Sequence, residues 1–100
     1  MRARRLRVTP LADRDLARRA RYLAGLRGEA FAEAYNVALL SWLGKRAESG
    51  AQLGTALEDD PQVRTFGYAK QATILARFEP ETLRVLRVFF KGQDWRRGPR

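Results

Sequence analysis

The sequence predicts an α+β fold: an N-terminal strand, then an αα-hairpin packed on one face of a mainly antiparallel four-stranded sheet, in the order β-α-α-β-β-β. Three observations predict it. Two stretches with helical spacing of apolar residues fill residues 10–48, parted by a glycine-marked break. Two period-2 runs flank Glu79-Pro80-Glu81-Thr82, where Pro80 presets the φ angle of a turn. A hairpin of that length does not stand alone in water, so the helices must supply the layer on its apolar face. The 100 residues form one domain, 1–100, with room for a single core.

In chain order, Arg4-Arg5-Leu6-Arg7-Val8 reads as a first strand with Leu6 and Val8 on one face and arginines on the other. Thr9 caps the first helix with its hydroxyl, and Pro10 suits the first helical position, whose N–H has no partner to lose. Asp13 and Asp15 complement the positive end of the helix dipole. Ala12, Leu16, Ala20 and Leu23 share one stripe, with Arg14, Arg18 and Arg21 on the wet side. Gly25 and Gly28 bracket a three-residue connection that turns a second helix, residues 29–48, antiparallel to the first. Phe31, Tyr35, Ala38 and Trp42 form its stripe, widened by Ala34, Leu39 and Leu43; this ordinary periodicity reads as core and not as a cofactor box. Gly50 ends the helix, since glycine accepts the left-handed conformation of a C-terminus.

A loop of about a dozen residues follows through Gly54 to Asp60-Pro61. Its Glu58-Asp59-Asp60 run reads as solvated, because hard cations take ligands at spaced positions around a turn. Residues 63–66 form a short strand and Gly67-Tyr68 a turn or bulge. A three-residue hairpin loop at 80–82 then sets Ala72, Ile74, Ala76 and Phe78 beside Leu86, Val88 and Phe90, under the helices. Thr73, Leu75, Arg77, Val85, Arg87, Phe89 and Lys91 share the opposite face. Half apolar and charged with one sign only, that face has the composition of an interaction surface. Arg77 and Arg87 would repel across the strand pair without an anion on them.

Cysteine and histidine are absent. Their absence excludes a disulfide framework, a Cys/His zinc site, a cysteine nucleophile and the commonest general acid/base. No metal and no cofactor is expected. No apolar run approaches the roughly eighteen residues of a membrane span, and no hydrophobic signal core follows the basic start, so a cytoplasmic address without a membrane partner is expected. Net charge is +9. Residues 1–27 hold nine Lys and Arg against two acids, 28–63 two against six, and 64–100 nine against three. Basic ends of this kind favour an anionic partner, either nucleic acid or an acidic protein segment.

The element order, the run RFEPETLRVLRV at 77–88 and its continuation FFKGQDW at 89–95 resemble the RelE/ParE superfamily of bacterial toxins, the ParE-like branch most closely. Arg87 stands where the motif arginine belongs, Asp94-Trp95 closes the motif, and Leu53-Gly54 resembles the Leu-Gly found after the second helix. The resemblance implies the toxin of a type II toxin–antitoxin pair, held inactive in a hetero-oligomeric complex. Its cognate antitoxin would cover the basic sheet face with an acidic, amphipathic segment, contacting Leu75, Arg77, Val85, Arg87, Phe89 and Lys91. The ParE-like branch further implies growth inhibition by poisoning of DNA gyrase, without enzymatic activity, and Trp95, Arg96 and Arg97 as target contacts. The alternative is a RelE-like endonuclease that cuts mRNA on the ribosome, with Lys70, Arg77, Arg87 and Lys91 as its catalytic cations. Against it, Gln93-Asp94-Trp95 stands where a nuclease places an arginine, no tyrosine follows Tyr68, and a carboxylate there repels phosphate. Phe89-Phe90-Lys91-Gly92 departs in turn from the Leu-His-Gly of the ParE pattern. A basic nucleic-acid-binding module is the third reading.

Overall fold

The structure, a computed structural model, describes residues 2–91. Its elements are β1 (Arg5–Val8), α1 (Pro10–Arg27), α2 (Glu29–Ser49), β2 (Thr55–Ala56), β3 (Val63–Tyr68), β4 (Ala72–Phe78) and β5 (Thr82–Phe90). The strands form one sheet in the order β1-β5-β4-β3-β2. It is mixed: β1 runs parallel to β5 and every other pair is antiparallel. The predicted α+β order holds, with the two-residue β2 added inside the stretch expected to be a plain loop.

Thr9 joins the first two elements to the sheet. Its N–H donates to the Val85 carbonyl at 3.1 Å and its hydroxyl to the Leu86 carbonyl at 3.0 Å, while the same oxygen accepts the Ala12 N–H at 3.2 Å as the cap of α1. Ala12, Leu16 and Leu23 then face inward as their spacing requires. The connection to α2 is shorter than expected. α1 continues through Gly25 to Arg27, and Gly28 alone makes the reversal at φ 93°, ψ 163°, a region open essentially to glycine only. In α2 the most buried residues are Ala32, Leu39, Leu43 and Ala47, whereas Ala38 is exposed. Tyr35 and Trp42 lie on the flank of the stripe, against Tyr68, Phe90 and Phe66, with ring centroids 5.1–6.5 Å apart. The aliphatic residues thus fill the helix–sheet interface and the rings close its side.

β3 runs straight through Gly67 and Tyr68, correcting the turn expected there. The turn lies at Ala69-Lys70, both left-handed (φ 48° and 57°), with the Gln71 N–H donating to the Tyr68 carbonyl at 2.8 Å. Two left-handed central residues match the strand twist, but the position favours Asn-Gly, and side chains with a Cβ are strained in it. Replacing Ala69→Asn and Lys70→Gly together is expected to stabilise the fold by about 1 kcal/mol, raising Tm by roughly 4–8 °C in a domain of this size. A thermal melt checks this, and an unchanged or lower Tm contradicts it.

The β4–β5 pairing carries the fold's main irregularity. Ala72 faces Phe90 and Ile74 faces Val88, the expected register, but Ala76 faces Val85 and Phe78 faces Leu83. One extra residue in β5, Leu86, forms a bulge opposite the Leu75/Ala76 step. Because side-chain direction alternates, the bulge reverses parity for everything nearer the turn. Val85, expected on the open face, is fully buried under the helices with Leu83, Val88 and Phe90. Leu86, expected in that core, packs instead on the opposite face with Val63, Leu75, Phe89 and Leu57.

Candidate functional site

Arg87 lies beyond the bulge and keeps its expected face, opposite Leu75; the edge of β5 sets its role. β1 ends at Val8, opposite Val85, so among the described residues no strand pairs with that edge of β5 beyond this point. α1 crosses this edge and places Asp15 on it. The Asp15 carboxylate accepts the Val88 N–H at 2.9 Å and two bonds from Arg87, Nε at 2.8 Å and Nη2 at 2.9 Å. Both partners are withdrawn from water, with side chains 5% and 13% exposed. The guanidinium also stacks over the Phe89 ring at 4.7 Å. The hydrogen bond to Asp15 holds the Arg87 guanidinium above its ordinary pKa against the opposing effect of burial. Arg87 therefore serves the fold and does not wait for an external anion. The Asp15 partner was missed because its place near the helix start suggested a dipole role. The available signal was its position beside Leu16 and three residues after Ala12, on the buried stripe, where a carboxylate needs a cation.

Two other arginines of the sheet face are also engaged. Arg77 donates to Asp60 at 2.8 Å and to Gln62 at 3.2 Å, and Arg84 bonds Glu79 at 3.2 Å. Asp60 belongs to the acidic run read as solvated, and it anchors the β2–β3 loop over the sheet. That loop brings Leu57 onto Leu75 and Phe89, which are only 1% and 6% exposed. The face expected to be open and greasy thus carries a second small core. Of the six expected antitoxin contacts, Leu75, Val85 and Phe89 are buried, Arg87 is bound to Asp15, Arg77 is half-buried and paired, and Lys91 is exposed.

Nor do the four candidate nuclease cations converge. Lys70 and Lys91 flank a groove of about 290 Å³ with Gln71, Thr73 and Phe89 at one end of the hairpin. Arg77 lies at the far end of β4, about 17 Å along the strand from Ala72 at 3.3 Å per residue. Trp95, Arg96 and Arg97 fall outside the described residues. Among the described residues no group of three or more acidic side chains could hold a metal ion, and no helix is long and apolar enough to cross a membrane.

A different cationic site is present. Asp15, Arg18, Arg19, Tyr22, Phe90 and Lys91 line a cleft of about 240 Å³ between α1 and the end of β5. Arg19 lies between two rings, 4.9 Å from Phe90 and 5.1 Å from Tyr22, and its buried Nε has no hydrogen-bond partner among the described residues. Behind it, the Tyr35 hydroxyl donates to Gln71 Oε1 at 2.7 Å; burial pushes this phenol above the usual tyrosine pKa, partly offset by the Arg19 guanidinium. Tyr22 is 56% exposed, and Leu26, one turn further along α1, is 61% exposed. Of this cleft the sequence reading named only Lys91 as functional. The signal was the pair Tyr22 and Leu26 at i, i+4 on the outer side of a helix rich in arginine.

No protein-family model matches the sequence, and no curated protein does so either. Among solved structures, a chain of the chromosomal ParDE TA system from P. aeruginosa is similar to this one, with a TM-score of 0.72 and 18% sequence identity over 87% of this chain and 95% of that one. At that identity the likeness is one of fold. The fold implied by the RelE/ParE resemblance is the fold observed.

Proposed function

We propose that the chain is the toxin of a type II toxin–antitoxin pair. An acidic, amphipathic antitoxin segment docks in the cleft between α1 and β5, and the free toxin arrests growth by acting on DNA gyrase in the cytoplasm. The carrying observation is the shared fold with a component of the ParDE TA system over nearly the whole chain. The site chemistry supports the same reading. Tyr22, Leu26 and Phe90 offer apolar contact, and Arg18, Arg19 and Lys91 offer cations for carboxylates, the two needs of an acidic helix laid in a groove. Lys91, exposed at the end of β5, extends the contact toward the sheet face. The separation of Lys70 and Lys91 from Arg77, together with the capture of Arg87 by Asp15, favours gyrase over ribosomal mRNA cleavage, since phosphodiester chemistry needs its cations gathered on one phosphate.

Two parallel assays test this. Purified protein is added to gyrase with relaxed plasmid, and separately to ribosomes translating an mRNA. The expected result is lost supercoiling with accumulation of cleaved DNA, and an intact message. Cleaved mRNA beside unaffected supercoiling would overturn the gyrase assignment.

A further inference from the structure

The bond pattern on the sheet face divides its arginines into two groups. Arg7, Arg84 and Arg77 are opposite one another on three neighbouring strands, β1, β5 and β4, and form a row about 10 Å across at ordinary strand spacing. Like charges aligned in this way repel unless each has a counter-charge. Arg77 has Asp60 and Arg84 has Glu79. Arg7 has no acidic partner among the described residues, and neither does Arg5, two residues earlier on the same face of the edge strand. Both are exposed. They line a groove of about 320 Å³ with Arg2, Ala3, Glu81 and Thr82. Among the described residues the one acid there, Glu81, is 79% exposed and lies 3.8 Å from Arg2, and neither Arg5 nor Arg7 has a carboxylate in salt-bridge reach.

We propose that this strip at the β1 edge, Arg5 and Arg7 with Arg2 beside them, binds the phosphate backbone of duplex DNA without sequence preference. The surroundings select among anions. An acidic peptide that orders on binding needs apolar anchors as well as charge, and among the described residues no large apolar side chain lines the groove. Single-stranded nucleic acid is held by aromatic platforms under its bases, and no aromatic among the described residues lines the groove either. Spaced cations on a flat strand suit a duplex backbone, where phosphate contacts alone give affinity. The strip lies on the sheet face opposite the helices, apart from the cleft assigned to the antitoxin, so the two surfaces can be tested independently.

The test is fluorescence anisotropy with a labelled 20-base-pair duplex of mixed sequence, from about 50 to 200 mM salt. Wild type is compared with Arg5→Gln/Arg7→Gln and with a charge-matched control, Arg14→Gln/Arg21→Gln, on the exposed side of α1. The strip variant should bind at least about tenfold more weakly at 100 mM salt, with the slope of log K against log salt reduced by about 1.8 for two lost phosphate contacts. The control should change affinity by less than about threefold. Equal losses in the two variants, or no duplex binding by wild type, would overturn the proposal. So would tighter binding of polyglutamate than of duplex through the same two arginines, since that assigns the strip to acidic protein. Unchanged thermal melts of both variants exclude misfolding, and the supercoiling assay reports separately on the toxin reading.

Discussion

Asp15→Ala should destabilise the fold by about 3–5 kcal/mol, a large part of what a domain of this size possesses. The substitution removes the carboxylate that takes two bonds from the Arg87 guanidinium where that side chain is only 13% exposed, and it also removes the acceptor of the Val88 N–H. Arg87→Ala should be comparably damaging, since it isolates a carboxylate only 5% exposed. The double variant should then lose clearly less than the sum of the two, by at least about 2 kcal/mol, because neither charge is left without its partner. Urea unfolding of the three variants gives this coupling directly. Additivity to within about 0.5 kcal/mol would show that the pair is incidental. The alkaline dependence follows from the same bond. A cationic group whose pKa is raised on folding contributes fully below its unfolded pKa and loses that contribution only as pH rises through the folded value. For Arg87 that window lies above the ordinary arginine range, so the deficit of Arg87→Ala should be the same at pH 7 and pH 9.

Gly54→Ala should cost about 2–4 kcal/mol and lower Tm by at least about 10 °C. Gly54 has φ 75°, and a Cβ built on it would run into the Thr65 carbonyl group of β3 and come within 2.9 Å of the Phe66 Cβ. The neighbours cannot yield easily. Arg64 fixes this turn by donating to the carbonyls of Leu53 at 2.8 Å and Gly54 at 2.6 Å, and Thr65 is held by its pairing with Leu75. Gly54→Asn separates the two causes, because asparagine tolerates left-handed φ but has the same Cβ. A loss equal to that of alanine assigns the cost to the close approach; recovery with asparagine assigns it to backbone conformation alone. The Leu53-Gly54 pair noted in the sequence thus has a physical basis, a glycine that lets the chain cross tightly onto the sheet.

The elements that were legible in the sequence are those governed by local chemistry. Thr9-Pro10 capped α1 where expected, Gly50 closed α2 at φ 75°, and the alternation in β4 gave its faces correctly. Strict alternation carried through Leu86 puts β5 one residue out of phase near the turn. The apolar residues Leu83, Val85, Val88 and Phe90 are spaced two, three and two apart, and the three marks the bulge. That slip exchanged Val85 and Leu86 between faces. Together with the long-range partners Asp15, Asp60 and Glu79, it changed the meaning of the sheet arginines. A sequence shows that Arg77, Arg84 and Arg87 are cationic; which acids neutralise them depends on contacts 5 to 72 residues away. The α1–β5 cleft was hidden for the same reason, since it exists only once the helix crosses the free edge of the strand.

On the proposed function, partner recognition lies in the cleft of Arg18, Arg19 and Lys91 and not on the sheet face, where Arg77, Arg84 and Arg87 are held by the protein's own acids. Titration calorimetry of the cognate antitoxin against Arg18→Glu/Lys91→Glu and against Arg84→Gln tests it most directly. At least a tenfold loss of affinity is expected for the cleft variant and less than a threefold change for Arg84→Gln. Full affinity in the cleft variant, with the loss appearing in Arg84→Gln instead, would return the antitoxin to the sheet face and contradict it.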